Sequence, residues 1–383
     1  MVSTSKPEGE ISNGKPLMKA AEVANYGNVD DVLTVEEAVA YPSIPEKNQQ
    51  DYMIIRTHSV ALACGDWRTM SGKTAKFQGP PSWPYIPCGD VSGVVVEIPE
   101  KAKESCPFQV GDRVAARFLY GPRDGLAEYA LVSHKVCAKV PDSLSSEDAA
   151  ALVGAAPSML LADRIQPGER VLILGAGGGL GSHICQLLRD KGVSFIAGVS
   201  KSPERLLKEP LSVDKAIDYT KEDVFSMEEF KQNKFDTVLD LAGNGWPRLM
   251  EDHKSGQPLV VKPWSEGGRF LTTVPDVPVF GGTLLNLLKF FLFTPLWRVA
   301  KSRLWRRKSL PAYSFAMSLP DTRDHVEKLF QKANAGKVKA VIDPQGPFTF
   351  TTDSVRKAFK LQESMHGHGK VVVKVSDEDK KRN

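Results

Sequence analysis

Residues 171–182 read VLILGAGGGLGS, an apolar run of strand-forming residues that collapses into glycines. Beyond it Ile184, Leu187 and Leu188 recur at helical spacing, so the segment predicts a strand, a tight turn and a helix whose apolar face packs on a sheet. Gly175, Gly178 and Gly181, with Ala176, Gly177, Gly179 and Leu180 between them, free the turn of side chains. Such a turn presents unpaired backbone N–H groups at a helix N-terminus, the arrangement that binds a pyrophosphate. A glycine turn with a purely structural role is the alternative, and the strand and helix on either side argue against it.

The surrounding text extends that unit. Residues 170–174, 181–191, 195–200, 203–208, 237–241 and 269–274 alternate strand and helix patterns, which predicts a doubly wound parallel sheet. Residues 19–24, 53–62, 91–96, 113–117 and 127–132 are instead short strands between turn clusters such as Gly79-Pro80-Pro81, and read as a β-rich, barrel-like unit. Ser145 is a candidate N-cap, with Glu147 and Asp148 in the first turn of a helix running toward Arg164. A helix at 352–361 and a strand at 371–375 close the chain, and that strand is placed to return to the first unit.

A length of 383 residues suits two such domains. The division reads as a disordered N-terminus (1–17), a β-rich domain (18–150 and 345–376), a parallel-sheet domain (151–344) carrying an insert at 281–313, and a frayed tail (377–383). The formal charge of +4 is too mild to call for nucleic acid, and it is unevenly spread. Residues 277–320 hold seven basic side chains and no acid, leaving 43 basic against 46 acidic elsewhere, so this one segment supplies the positive excess. Five scattered cysteines without a CxxC pair point to a reducing compartment. Residues 1–17 lack the apolar core of a signal peptide, and their Glu8 and Glu10, without arginine, speak against a mitochondrial presequence. The expected location is cytoplasmic, with membrane association left open by the insert.

That insert carries LLNLLKFFLFTPLW at 284–297, then RVAKSRLWRRK. Fourteen residues with Lys289 and Pro295 among them are too few to span a bilayer. Aromatic and aliphatic side chains beside clustered arginines match an interfacial anchor over 284–308, with Trp297 and Trp305 at headgroup level. A lid over a cleft and a homodimer interface are the competing readings.

Several motifs together resemble the medium-chain dehydrogenase/reductases: Met18-Lys19-Ala20-Ala21 to Tyr26-Gly27, Val110-Gly111-Asp112-Arg113-Val114, Ala127-Glu128-Tyr129, the Pro167 to Ile173 run and Gly369-Lys370-Val371-Val372. The resemblance spans residues 18 to about 375. It implies a GroES-like substrate domain, a Rossmann cofactor domain and a cleft between them, and it fits the zinc-free quinone oxidoreductase branch. Residues 281–313 resemble the extra stretch of reticulon-interacting mitochondrial oxidoreductases. Zinc-dependent members hold a metal through Cys, a Gly-His-Glu motif and a second Cys or Asp. Here Ala63 stands at the first ligand position with Cys64 one place late, and Gly89 stands where the histidine would be. No metal is expected; a site built from Cys64, Cys88 and Asp90 is the alternative, against the commoner case of buried free thiols.

Cofactor choice follows from charge at the end of the second Rossmann strand. An acid there would accept the ribose hydroxyl of NAD and repel a phosphate. This chain has Ser200 and Lys201, with Arg205 a turn later, a hydroxyl and two cations suited to the 2′-phosphate of NADPH. An ordinary solvated lysine and arginine would look the same individually. The resemblance adds Tyr219 near that phosphate or the adenine and Ser158 near the nicotinamide, and places Met365 where some relatives carry a phosphate-binding arginine.

The reaction implied is hydride delivery to a quinone or conjugated enone, whose delocalisation already spreads the developing charge. Asp66, matching the acid of the family's N-P-x-D segment, is the candidate catalytic residue, and it serves equally well as an acceptor for backbone N–H groups. Lys73 and Tyr85 are further candidates, and Ala63 replaces an asparagine common in relatives. Two other readings stand beside this one: a reductase of 2-alkenals or enoyl thioesters, and a membrane-associated adaptor that keeps the nucleotide site.

Overall fold

The computed structural model describes residues 11–12, 15–75, 79–80, 82–117, 124–273, 289–316 and 323–378. The expectations for residues 1–10 and 13–14, for Pro81 of the turn cluster, for 281–288 of the insert, for the strand end at 274 and for 379–383 of the tail lie outside the described residues.

The strands that organise the chain are β1 (Met18–Val23), β2 (Leu33–Val39), β3 (Tyr52–Ala61), β4 (Asp90–Glu97), β5 (Arg113–Arg117), β6 (Tyr129–Ser133), β7 (Cys137–Lys139), β8 (Arg170–Leu174), β9 (Phe195–Val199), β10 (Lys215–Ile217), β11 (Thr237–Asp240), β12 (Arg269–Thr272), β13 (Ala312–Phe315), β14 (Phe348–Thr349) and β15 (Val372–Lys374). The main helices are α1 (Cys64–Met70), α2 (Ser146–Ala155), α3 (Pro157–Ala162), α4 (Gly181–Lys191), α5 (Gly245–Lys254), α6 (Arg323–Asn334) and α7 (Thr352–Ser364).

Six strands form one parallel sheet in the order β10-β9-β8-β11-β12-β13. Its order reverses beside β8, the strand that enters the glycine turn, which opens a crevice at the carboxyl ends of the strands. Val171, Leu172 and Ile173 are fully buried because helices cover both faces. A continuous apolar strand is the sequence form of a sheet buried on both sides, and each such side chain contributes roughly 1.5–3 kcal/mol. The sixth strand begins at Ala312, inside the span assigned to the insert.

The other sheet is largely antiparallel and runs β14-β15-β3-β4-β5-β7, with β6 also on β3 and β1-β2 as a separate hairpin. β15 pairs Val373 with Val60 of β3, so the last strand closes onto the β-rich unit. Phe359 of α7 packs there with Met53 and Ile55.

The helix expected from 145 to about 164 is two helices. Ser145 caps the first by accepting from the Asp148 N–H at 3.0 Å, as its sequence implies. Pro157 then opens α3 at its first turn, because a proline ring and missing N–H are tolerated there and disrupt a helix interior.

Candidate functional site

A cavity of about 960 Å³ lies between the two sheets, at the carboxyl end of β8 and β9. One wall is the glycine turn. Gly175 holds φ +81°, and a Cβ at Gly181 would stand 2.3 Å from the Gly175 carbonyl oxygen, so both positions exclude side chains. Gly175, Gly177, Gly178, Gly179, Leu180 and Gly181 line the cavity, whereas Ala176 faces the core and is fully buried.

His183 locks that turn from behind. Its buried ring donates from Nδ1 to the Gly179 carbonyl at 2.8 Å and accepts at Nε2 from the Val341 N–H at 3.2 Å. Those two bonds require a neutral ring. Burial first, with the nearby Lys370 charge as a further cause, pushes its pKa down to about 4.

At the end of β9, Ser200 and Lys201 both line the cavity. Ser200 is nearly buried, its Oγ accepts from the Ser202 N–H at 3.2 Å, and a Cβ on Gly177 would stand 2.8 Å from that oxygen. Lys201 is exposed and makes no ion pair among the described residues. Tyr219, half exposed, lines the same end, where Arg248 donates to Asp223 at 2.6 Å and to Asp252 at 2.6 Å. Arg205 is exposed and outside the cavity wall. Its field reaches His368, whose pKa is lowered by burial and then by that guanidinium. Ser158 is also absent from the wall, yet its fully buried Oγ has no hydrogen-bond partner, and its neighbours Pro157, Leu160 and Leu161 line the cavity.

The three side chains considered for catalysis all lie off this cavity. Asp66 is buried, and its Oδ2 accepts the Ala63 N–H at 2.7 Å, which fixes the start of α1. Lys73 sits 4.5 Å over the Trp67 ring beside a separate, smaller hollow. Tyr85 is buried where its backbone pairs with Val23. α1 points its acid back at its own first turn, while Lys73 is held over the Trp67 ring and Tyr85 beside Val23.

Arg117 and Lys370 line another part of the cavity, with Asp90 buried beside them; the sequence reading did not single out Arg117, and named Asp90 only for a metal site and Lys370 only within a family motif. Asp90, Arg117 and Lys370 are each more than nine-tenths buried. The Arg117 Nη1 lies 3.4 Å from the Asp90 Oδ2, and the Lys370 Nζ lies 3.7 Å from the same oxygen. Lys370 also donates to the Leu62 carbonyl at 2.8 Å, and Arg117 to the Gly154 carbonyl at 3.2 Å. Next to Lys370, Gly369 donates to the Gly177 carbonyl at 3.0 Å and so joins the C-terminal segment to the glycine turn. A charged residue ending an otherwise apolar strand, as in Val114-Ala115-Ala116-Arg117, was the available signal. Cys64 and Cys88 are not in disulfides, and among the described residues no group of three His, Cys, Asp or Glu side chains is placed to hold a metal ion.

Fold and cleft define a two-domain, nucleotide-binding type of protein. Residues 49–142 match the family described as alcohol dehydrogenase GroES-like domain, and residues 211–373 match zinc-binding dehydrogenase. The chain is 33% identical over 366 residues to 2-methylene-furan-3-one reductase of Solanum lycopersicum, covering 93% of this chain and 79% of that protein. It is 31% identical over 366 residues to the chloroplastic NADPH-dependent alkenal/one oxidoreductase of Arabidopsis thaliana, with 93% and 79% covered. The crystal structure of Escherichia coli quinone oxidoreductase complexed with NADPH superposes with a TM-score of 0.67 at 19% identity, covering 93% of this chain and all of that one. The chain therefore belongs to the medium-chain dehydrogenase/reductase superfamily, among its quinone oxidoreductase-like members.

Proposed function

We propose that this protein is an NADPH-dependent reductase of conjugated enones or quinones that works without zinc. The observation that carries the reading is the pairing, in one cavity, of a side-chain-free glycine turn with Ser200 and an unpaired Lys201 where an acid would select NAD. The residues fit the cofactor. The turn offers N–H groups to a pyrophosphate, Ser200 and Lys201 suit a 2′-phosphate, and Tyr219 flanks the same end. The orphaned Ser158 hydroxyl supplies a buried polar group near the other end. When bound, reduced nicotinamide supplies hydride. Acceptor classes are drawn from the relatives: one is named for a furanone, another for alkenals and enones, and the structural neighbour for quinones.

Zinc independence rests on the side chains present. Ala63 and Gly89 carry no donor atoms, and the Lys370 ammonium is bonded to Leu62, next to the first of these positions. A metal cation there would meet Lys370 and Arg117 and be repelled. Asp66 is assigned to holding Ala63, and Arg205 to steering the phosphate end from outside the wall. The division into residues 18–150 with 345–376 and residues 151–344 is kept as the working domain scheme.

The direct test follows NADPH and NADH oxidation with short quinones and with 2-alkenals. Turnover of either acceptor class with NADPH preferred is the expected result. Failure to bind NADPH sinks the reading, and tight binding without turnover favours the adaptor.

A second proposal concerns the insert. None of its described residues lines the cavity, which weighs against a lid. Lys289–Phe293, Thr294–Ala300 and Lys301–Trp305 are consecutive helical turns. Ser302 and Arg298 turn inward, Ser302 accepting from the Tyr313 N–H at 3.1 Å. Leu292, Phe293, Leu296, Trp297 and Leu304 face solvent beside the exposed Arg303, Arg306, Arg307 and Lys308. An apolar face rimmed by cations with no acid suits an anionic membrane surface. No described helix is long and apolar enough to cross a membrane. Flotation with anionic vesicles is expected to carry the protein in a salt-sensitive manner; a concentration-dependent homodimer without flotation replaces this assignment.

A further inference from the structure

The Arg117 and Lys370 pair on the cavity wall has an unusual charge balance. Among the described residues Arg117 and Lys370 face a single buried carboxylate, Asp90, so one positive charge is left over where both side chains are more than nine-tenths buried. Burying an uncompensated charge is costly, and such a group persists where it meets a partner of opposite charge. Lys370 has its close partner in the Leu62 carbonyl. Arg117 does not: its two contacts, at 3.4 and 3.2 Å, both use Nη1, and its buried Nε has no hydrogen-bond partner. Arg117 also borders the cavity. A guanidinium has five N–H donors in a rigid plane, so this one is held in place and left largely unused.

We propose that Arg117, held on Asp90 beside Lys370, binds the carbonyl oxygen of the acceptor and stabilises the negative charge that forms there. This inference rests on the reductase reading above and names the group that reading lacks. As an enone gains two electrons and one hydrogen at its β-carbon, its π electrons shift and its oxygen becomes an enolate; a quinone that gains them at carbon becomes the corresponding dienone enolate, which tautomerises to the hydroquinone once protonated. A proton from solvent then gives the neutral product. A fixed cation aimed at that oxygen lowers the barrier because it needs no reorganisation when the charge appears. Lys370 and Asp90 are positioning residues here. Gly154 must stay small, since a Cβ there would stand 2.5 Å from the Lys370 Cε and 2.8 Å from the Asp90 Oδ2.

The test uses 4-nitrophenol as a coloured mimic of the oxyanion, titrated into the full-length protein with and without NADP+. The wild type is expected to bind the phenolate at least tenfold more tightly than the phenol, seen as a fall in the pH at which the bound dye turns yellow. Arg117→Met loses that preference while NADPH affinity stays within about twofold, and kcat on 2-alkenals falls by about 10²- to 10³-fold. Arg117→Lys, which keeps the charge and removes the planar fork, retains part of the preference and covers the case in which the methionine variant does not fold. A wild type that turns over no acceptor yet still prefers phenolate upholds the cation site and overturns the reductase reading. Equal phenolate binding by wild type and either folded variant overturns the inference, as does the absence of any phenolate preference in the wild type.

Discussion

The two walls of the cavity are made in opposite ways. The glycine wall is one stretch of seven residues, 175–181, presenting backbone; the other wall is the Arg117 and Lys370 side chains, set by Asp90 beside them and by the Leu62 carbonyl. Backbone donors need only a tight turn and the absence of Cβ atoms, both local matters. A buried cation pair needs three strands and the chain terminus to converge, and each residue is ordinary on its own. Binding can therefore be lost by one methyl group on the first wall, while charge rearrangement on the second should spare it.

Four changes test that contrast, taken from the largest expected effect to the smallest. Gly181→Val puts carbon into space already held by the Gly175 carbonyl and Ala176 backbone, at 2.3 and 2.7 Å. It should cost about 3 kcal/mol or more and abolish NADPH binding, as read by chemical denaturation and nucleotide fluorescence. Gly154→Ala, on the other wall, displaces the Lys370 side chain. NADPH affinity should hold while kcat drops by roughly 100-fold, the scale of a misplaced catalytic group; parallel losses of affinity and turnover would erase the distinction between the walls.

His183 sharpens the comparison through pH. Its native pKa of about 4 lies below the ordinary histidine value of 6.5, so the unfolded chain binds a proton that the native chain refuses. Its stabilising contribution is complete above pH 6.5 and declines as pH falls toward 4. Between pH 7 and 5 the loss is about 2 kcal/mol, and the urea midpoint of a His183→Asn variant should depend less steeply on pH over that window. A variant with the wild-type slope would show that the ring is not the sensor. Finally, Lys201→Ala removes one exposed cation; NADPH affinity should fall about five- to tenfold with NADH unchanged, less than a buried pair would yield because solvent screens it. Equal losses for both nucleotides would remove Lys201 from the phosphate site.

Local chemistry made much of this protein readable. Periodicity at 171–174 and 184–188 placed the parallel sheet, and the glycines between and Ser200 come together on one cavity. The break at Pro157 was also visible in principle, since proline favours the first turn of a helix. Asp66 shows the limit: an acid in the first turn of a helix looks alike whether it caps its own backbone or faces a substrate, and only the rotation of α1 separates the two. Arg205 likewise has the right charge and spacing, yet its side chain lies outside the cavity wall.

What the sequence determined by itself was a two-domain chain with a glycine turn between strand and helix and no acid at the next strand end, because strand period, turn glycines and the sign of a charge act over a few residues. Tertiary structure alone decided which charges face the acceptor. Arg117 and Lys370 are 253 positions apart and meet on Asp90 only because β15 returns to pair with β3 while β5 lies beside β4. Burial then gives their charge its strength, and burial is a property of the assembled fold.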